Sequence, residues 1–144
     1  MKLMASANKS ENAILIGQDI ESRIVFKNAM AHFGTNINTD LFYDTATACR
    51  ELSKLKQTRS GYIFLNAGND MDQCLINIAM IKDCPCLQNK TIVVYDTDSI
   101  LRHTKEIFAM GASAFINKPY DFQRLIKMFR EIMFSTNEKT KVAA

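Results

Sequence analysis

Gly61-Tyr62-Ile63-Phe64-Leu65-Asn66, followed by Ala67-Gly68-Asn69-Asp70-Met71-Asp72, is the stretch on which the fold turns. Tyr62 to Leu65 are large and apolar, with Gly61 before them and Asn-Ala-Gly-Asn-Asp after them. A short continuous apolar run bounded in this way reads as a strand buried on both faces, the kind found in a parallel sheet. In open α/β sheets, ligands and chemistry sit outside the C-terminal ends of the strands. Asn66 is the first polar residue at that end, an amide where a carboxylate would be more reactive.

The reading extends in both directions. Upstream, Ala13–Ile16 is a second buried strand, ending at Gly17-Gln18-Asp19. A helix follows from Ile20 or Glu21 to Phe33, with Ile24, Val25, Met30 and Phe33 inward and Gly34 as its stop. Asn38–Tyr43 is a weaker strand, whose Asn, Thr and Asp suit an outer position. Asp44 or Thr45 caps a helix to about Lys56, with Ala48, Leu52 and Leu55 on one face. Downstream, Met71–Lys82 is a helix with Met71, Cys74, Leu75 and Ile78 inward, and residues 91–95 are a fourth strand. A fourth helix starts at Asp98 or Ser99 and ends at Met110-Gly111, and Ser113–Ile116 is a fifth strand. Phe122, Leu125, Ile126, Phe129, Ile132 and Met133 then form the single stripe of a last helix. Met80, Met110, Met128 and Met133 fit helix packing. Five strands alternating with five helices predict right-handed crossovers and a parallel sheet covered on both faces. Periodicity alone leaves several strand orders open.

Composition narrows the function. The 144 residues suit one domain with a sizeable core. A net charge of +3 with scattered basic residues gives no case for nucleic acid. No apolar run approaches the roughly 18–20 residues that span a bilayer, and the first residues lack the apolar region of a secretory signal. Cys49, Cys74, Cys84 and Cys86 read as buried free thiols of a cytoplasmic protein, with Cys84-Pro85-Cys86 a plain loop. With His32 and His103 the only histidines and no second cysteine pair, zinc is not expected.

Two segments carry a family resemblance. MGASAFINKPYDFQRL (110–125) and ILIGQDIESR (14–23) resemble the last strand and helix, and the first strand and acidic turn, of a response-regulator receiver domain. Such a domain takes a phosphoryl group from a histidine kinase, and the resemblance covers about residues 12–134. It implies a flavodoxin-like three-layer αβα sandwich, with a five-stranded parallel sheet in the order 2-1-3-4-5 and five helices. It puts Phe115 at the aromatic switch position, matches Lys118-Pro119 to the family's Lys-Pro pair, and permits a cis bond before Pro119. The expected organisation is a flexible segment over 1–10, a receiver-like domain over 11–135 and a flexible tail over 136–144.

The family's chemistry needs an Asp acceptor after the third strand and an acidic pair after the first, which together hold Mg²⁺. It also needs a Ser or Thr after the fourth strand and a Lys before the last helix. Here the acceptor position carries Asn66, the acidic pair is Gln18 and Asp19, and the hydroxyl position carries Asp96. Of the four requirements only Lys118 is met. An amide is not nucleophilic and forms no stable acyl phosphate. Two anions at about 3–4 Å repel by several kcal/mol at an effective dielectric near 20, so Asp96 opposes a docking phosphoryl oxygen.

The chain therefore reads as a degenerate receiver: not an enzyme, with no cofactor and with Mg²⁺ binding weak or absent. Its expected role is a phosphorylation-independent interaction module of two-component signalling. The partner is a protein, a sensor kinase or downstream effector, met through the fourth helix, fifth strand and fifth helix, with homodimerisation on the same face an option. Arg124, Lys127, Arg130 and Glu131 stand on the exposed side of that last helix. Asp96 either pairs with Lys118 in place of a phosphate or caps the fourth helix. Asp19 and Asp70 are either weak metal ligands and displaced acceptors, which would make this a working receiver, or helix caps. His103 is either a phosphoryl carrier or a surface residue. A flavodoxin-like nucleotide or flavin binder is the remaining reading, and Gly17-Gln18-Asp19 lacks the phosphate cradle it needs.

Overall fold

The computed structural model describes residues 11–34, 37–55, 61–66, 70–96, 103–117, 121–134 and 141–143. In chain order the elements are β1 (Glu11–Ile16), α1 (Ile20–Ala31), β2 (Ile37–Phe42), α2 (Thr45–Leu52), β3 (Gly61–Asn66), α3 (Met71–Asp83), β4 (Thr91–Asp96), α4 (Thr104–Met110), β5 (Ala114–Asn117), α5 (Phe122–Phe134) and β6 (Lys141–Ala143). Every strand pairing is parallel, and the sheet order is β2-β1-β3-β4-β5-β6. The five strands expected from the sequence stand in the flavodoxin-like order.

Alternation along the strands divides the core in two, because successive side chains leave a strand on opposite faces. Ile14, Ile16, Ile63, Leu65, Ile92, Val94 and Phe115 face one way and pack with Ala48 and Leu52 of α2, Cys74, Ile78 and Ile81 of α3, and Ile107 of α4. Ala13, Leu15, Phe64, Val93, Tyr95, Ala114 and Ile116 face the other way, against Phe26, Ala29 and Met30 of α1 and the stripe of α5. This two-sided burial is why β1, β3 and β4 read as unbroken apolar runs. The second layer is aromatic: Phe129 of α5 sits 5.0 Å from Phe64, 5.7 Å from Phe26 and 5.9 Å from Tyr95, centroid to centroid. Tyr62 ties β3 to the end of α5, its hydroxyl donating to the Met133 carbonyl at 3.0 Å.

Several expectations are corrected in detail. Residues 141–143 add a sixth strand that the sequence did not suggest, pairing with β5, Phe115 opposite Val142. Ile24 is exposed, because α1 buries the stripe Ser22, Phe26, Ala29 and Met30, with Val25 and Phe33 partly buried beside it. Leu55 is exposed because α2 stops at Leu52, with Ser53 as its C-cap, so Leu55 lies past the helix. Met80 and Met110 are exposed rather than packed. The expected start of the fourth helix at Asp98 or Ser99 lies outside the described residues.

Helix ends follow local chemistry. Gly111, at φ +127°, caps the end of α4, and Gly34, at φ +82°, turns the chain two residues past the His32 cap of α1. Asp44 accepts the Thr47 N–H at 2.8 Å and caps α2. That carboxyl is held below its ordinary range by hydrogen bonding to Thr47. A depressed folded pKa contributes stability above the unfolded value of 3.8, which is lost as pH falls through the folded value. Asp44→Ala is expected to cost about 1 kcal/mol at neutral pH. In thermal melts the gap between the two proteins should close below pH 3.8. An undiminished gap in acid would show that the cap is not the source.

The cysteines also depart from expectation. Cys49 and Cys84 form a disulfide that joins the end of α2 to the turn after α3, across a sequence separation of 35. Among the described residues, Cys74 (buried) and Cys86 (half-buried) stand outside that bond. The pairing depends on α2 packing beside α3, which spacing in the sequence does not reveal.

Candidate functional site

The parallel register brings the C-terminal ends of β1, β3, β4 and β5 to one edge of the sheet: Ile16 opposite Leu65, Asn66 opposite Tyr95, and Asp96 opposite Asn117. Gly17 leaves β1 directly against Asn66. A Cβ at Gly17 would stand 2.7 Å from the Asn66 Cβ, so only glycine lets the first turn lie on the end of β3. The Gly17 N–H donates to the Phe42 carbonyl at 3.0 Å, which fastens this turn to β2.

Asp19 is the acidic group of the turn after β1, and its chemistry is partly committed. It is the N-cap of α1, and its Oδ2 accepts from the Ser22 N–H at 3.1 Å and the Ser22 Oγ at 2.6 Å. Ser22 is buried, so this pair is an integral part of the helix start. Asp19 also makes its charge felt at Tyr95. Burial pushes that phenol well above its ordinary range, and the Asp19 carboxylate adds to the shift. Gln18, beside it, is exposed.

Arg23, one turn along α1, reaches back over the mouth of the edge. Its Nη1 donates to the Gly17 carbonyl at 3.4 Å, and its guanidinium lies 4.3 Å from the centre of the Tyr43 ring. Sequence reasoning did not single out Arg23, Tyr43, Ser22 or Tyr95. The signal available for Arg23 was its place four residues after Asp19, on the same helical face.

The remaining sequence-predicted residues separate. Asn66 is half-buried at the end of β3. Phe115 is fully buried, packed on the α2–α3–α4 side of the sheet. Asp70 is exposed and caps α3, accepting the Gln73 N–H at 3.1 Å. His103 is half-buried, and its Nδ1 lies 3.0 Å from Glu106 Oε1. Asp96 ends β4 in register with Asn117, and Asn117 Oδ1 is buried with no hydrogen-bond partner among the described residues. Lys118 and Pro119, and with them the proposed Asp96–Lys118 pair, lie outside the described residues.

The donor set at the near end of this edge does not fit Mg²⁺. Hard divalent cations want several oxygen ligands, carboxylates foremost. Gln18, Asp19 and Asn66 offer a single carboxylate, one oxygen of which is held by Ser22.

No protein-family model matches the chain, and no curated protein matches it. Solved structures do. The chain is similar to the phosphorylated cyanobacterial phytochrome response regulator RcpA, with 17% identity, a TM-score of 0.71, and coverage of 89% of this chain and 96% of that one. It is also similar to the isolated REC domain of RcsB from Salmonella enterica serovar Typhimurium, with 14% identity, a TM-score of 0.69, and 92% of each chain covered. A response regulator receiver domain from Rhodospirillum rubrum aligns with 20% identity and a TM-score of 0.66, over 90% of this chain and 99% of that one. At these identities the likeness establishes the fold, and the fold is that of a response-regulator receiver domain.

Proposed function

We propose that the chain is an atypical receiver domain of two-component signalling that works as an interaction module without being phosphorylated. The observation that carries this reading is the chemistry at the end of β3. Asn66 occupies the acceptor position against Gly17, and the neighbouring carboxylate of Asp19 serves the start of α1. An amide there is not a nucleophile. The capping roles of Asp19 and Asp70 weigh against either acting as a displaced acceptor.

The partner in this reading is a sensor kinase or downstream effector, docking on α4, β5 and α5. The exposed residues Arg124, Lys127, Arg130 and Glu131 of α5 present a largely basic surface to it. In this reading the domain holds one state without a phosphoryl group, the state in which Phe115 is fully buried.

The test is to add Mg²⁺ with beryllofluoride, and separately with a small acyl phosphate, to the purified protein. Amide chemical shifts and intact mass are then followed. Unchanged shifts at Asn66 and no mass gain are the expected result. A stable adduct on Asp19, Asp70 or Asp96 would replace this reading with a receiver that is phosphorylated on a displaced carboxylate.

A further inference from the structure

Three sulfurs converge on the side of the sheet covered by α2 and α3, away from the strand-end site. Cys49 comes from the last turn of α2, and Cys84 and Cys86 come from the turn that follows α3. Their Sγ atoms all lie within 4.8 Å of one another. Cys86 is placed by more than chain connectivity. Its Sγ is 3.2 Å from the Cys84 Sγ and 3.5 Å from the Cys49 carbonyl oxygen, toward which its thiol points. A free thiol thus rests on a disulfide whose two halves come from different elements.

The surroundings suit thiolates. Lys90, only 6% exposed, begins the approach to β4. Burial pulls its ammonium below the ordinary range, and its electrostatic interactions with Cys86 and then Asp40 oppose that pull. A buried cation that senses Cys86 is a ready counter-charge for a sulfur-rich anionic centre. Pro85 keeps the turn between the two cysteines from continuing α3, so both side chains return toward Cys49.

We propose that Cys49, Cys84 and Cys86 form a redox-gated binding site for one soft divalent cation of the zinc class, closed by the Cys49–Cys84 disulfide and open when that bond is reduced. A dithiol supplies the two electrons and two protons that turn the disulfide into two thiols, and itself closes to a disulfide. The cation then takes the place of three thiol protons, which leave to solvent. Three thiolates and a divalent cation carry one net negative charge, which the Lys90 ammonium balances. Zn–S bonds of about 2.3 Å put neighbouring sulfurs within about 4 Å of each other in a tetrahedral site. The sulfurs reach that spacing from their present positions by side-chain movement. The half-buried positions of Cys49 and Cys86 leave the fourth coordination position to water. The metal would link α2 to the turn after α3 as the disulfide does, so the two chemical states hold the same pair of elements.

Cadmium is the probe, because its thiolate complexes have a charge-transfer band in the ultraviolet. The full chain is reduced with a phosphine, separated from it without oxygen, and titrated with Cd²⁺. One equivalent should saturate the band, with an amplitude per cadmium that counts three sulfur ligands. Cys86→Ser and Cys49→Ser should each weaken binding by more than about tenfold, whereas Cys74→Ser should leave it unchanged. The untreated, disulfide-bonded protein should show no band. The amplitude is read on the unaltered protein and so does not depend on any variant folding. A reduced protein without the band, an amplitude that counts fewer than three sulfurs, or equal binding by Cys86→Ser would overturn the assignment.

Discussion

Phe129→Ala is expected to remove about 3–5 kcal/mol of stability, the usual cost of deleting a fully buried Phe ring from a packed core. Phe129 is 0% exposed and stands where α5, α1, β3 and β4 meet, in ring contact with Phe26, Phe64 and Tyr95. No neighbour can swing in to refill the space, because the three rings around it are themselves buried and hold one another at tilted and edge-on angles. Small domains have only about 5–15 kcal/mol in total, so the variant should be close to unfolded at 37 °C. Urea denaturation monitored by circular dichroism measures this directly. Phe122→Ala, at the exposed start of the same stripe, is the comparison, with an expected loss under about 1 kcal/mol. Equal losses at the two positions would mean that the α5 stripe is not what fastens this side of the sheet.

Asn66→Asp alone is not expected to make the protein accept a phosphoryl group, although it restores the reactive atom. The added carboxylate would still lack a metal, because Gln18 is neutral and Asp19 is engaged with Ser22. In the reading proposed for this edge, Asp96 would also still oppose the incoming phosphoryl oxygen. Like charges at about 4 Å repel by about 4 kcal/mol at an effective dielectric of 20. A barrier raised by that amount slows a reaction about a thousandfold. The triple variant Gln18→Asp, Asn66→Asp, Asp96→Thr should therefore label with an acyl phosphate and Mg²⁺ about a thousandfold faster than the double variant that retains Asp96. Rapid labelling of the single variant would show that this account of the edge is mistaken.

Much of the architecture was legible because buried parallel strands leave a strong trace. AILI, YIFL and TIVVY are apolar on both faces, and the structure places all three in the middle of the sheet. The polar β2 was legible as an outer strand for the converse reason. Helix faces were read less well. Ile24 and Val25 look as inward as Phe26 in sequence, and only the position of α1 on the sheet decides between them. The capping roles of Asp19, Asp44 and Asp70 were visible as a residue type at a helix start. Which acids cap and which wait for a ligand depends on whether an N–H or hydroxyl stands within reach, as Ser22 does for Asp19. The three-sulfur cluster left no trace, since it joins residues 35 apart through the contact of two helices.

β6 changes what β5 can offer to another molecule. A parallel sheet that ended at β5 would present an open row of backbone N–H and carbonyl groups, the template on which a foreign peptide adds as a strand. Residues 141–143 occupy that row in register with Ala114, Phe115 and Ile116. Because they belong to the same chain, they compete for it at the high effective concentration of a tethered ligand. Strand addition by a partner at this border thus becomes a displacement reaction, while contacts made through the side chains of α4 and α5 need displace nothing.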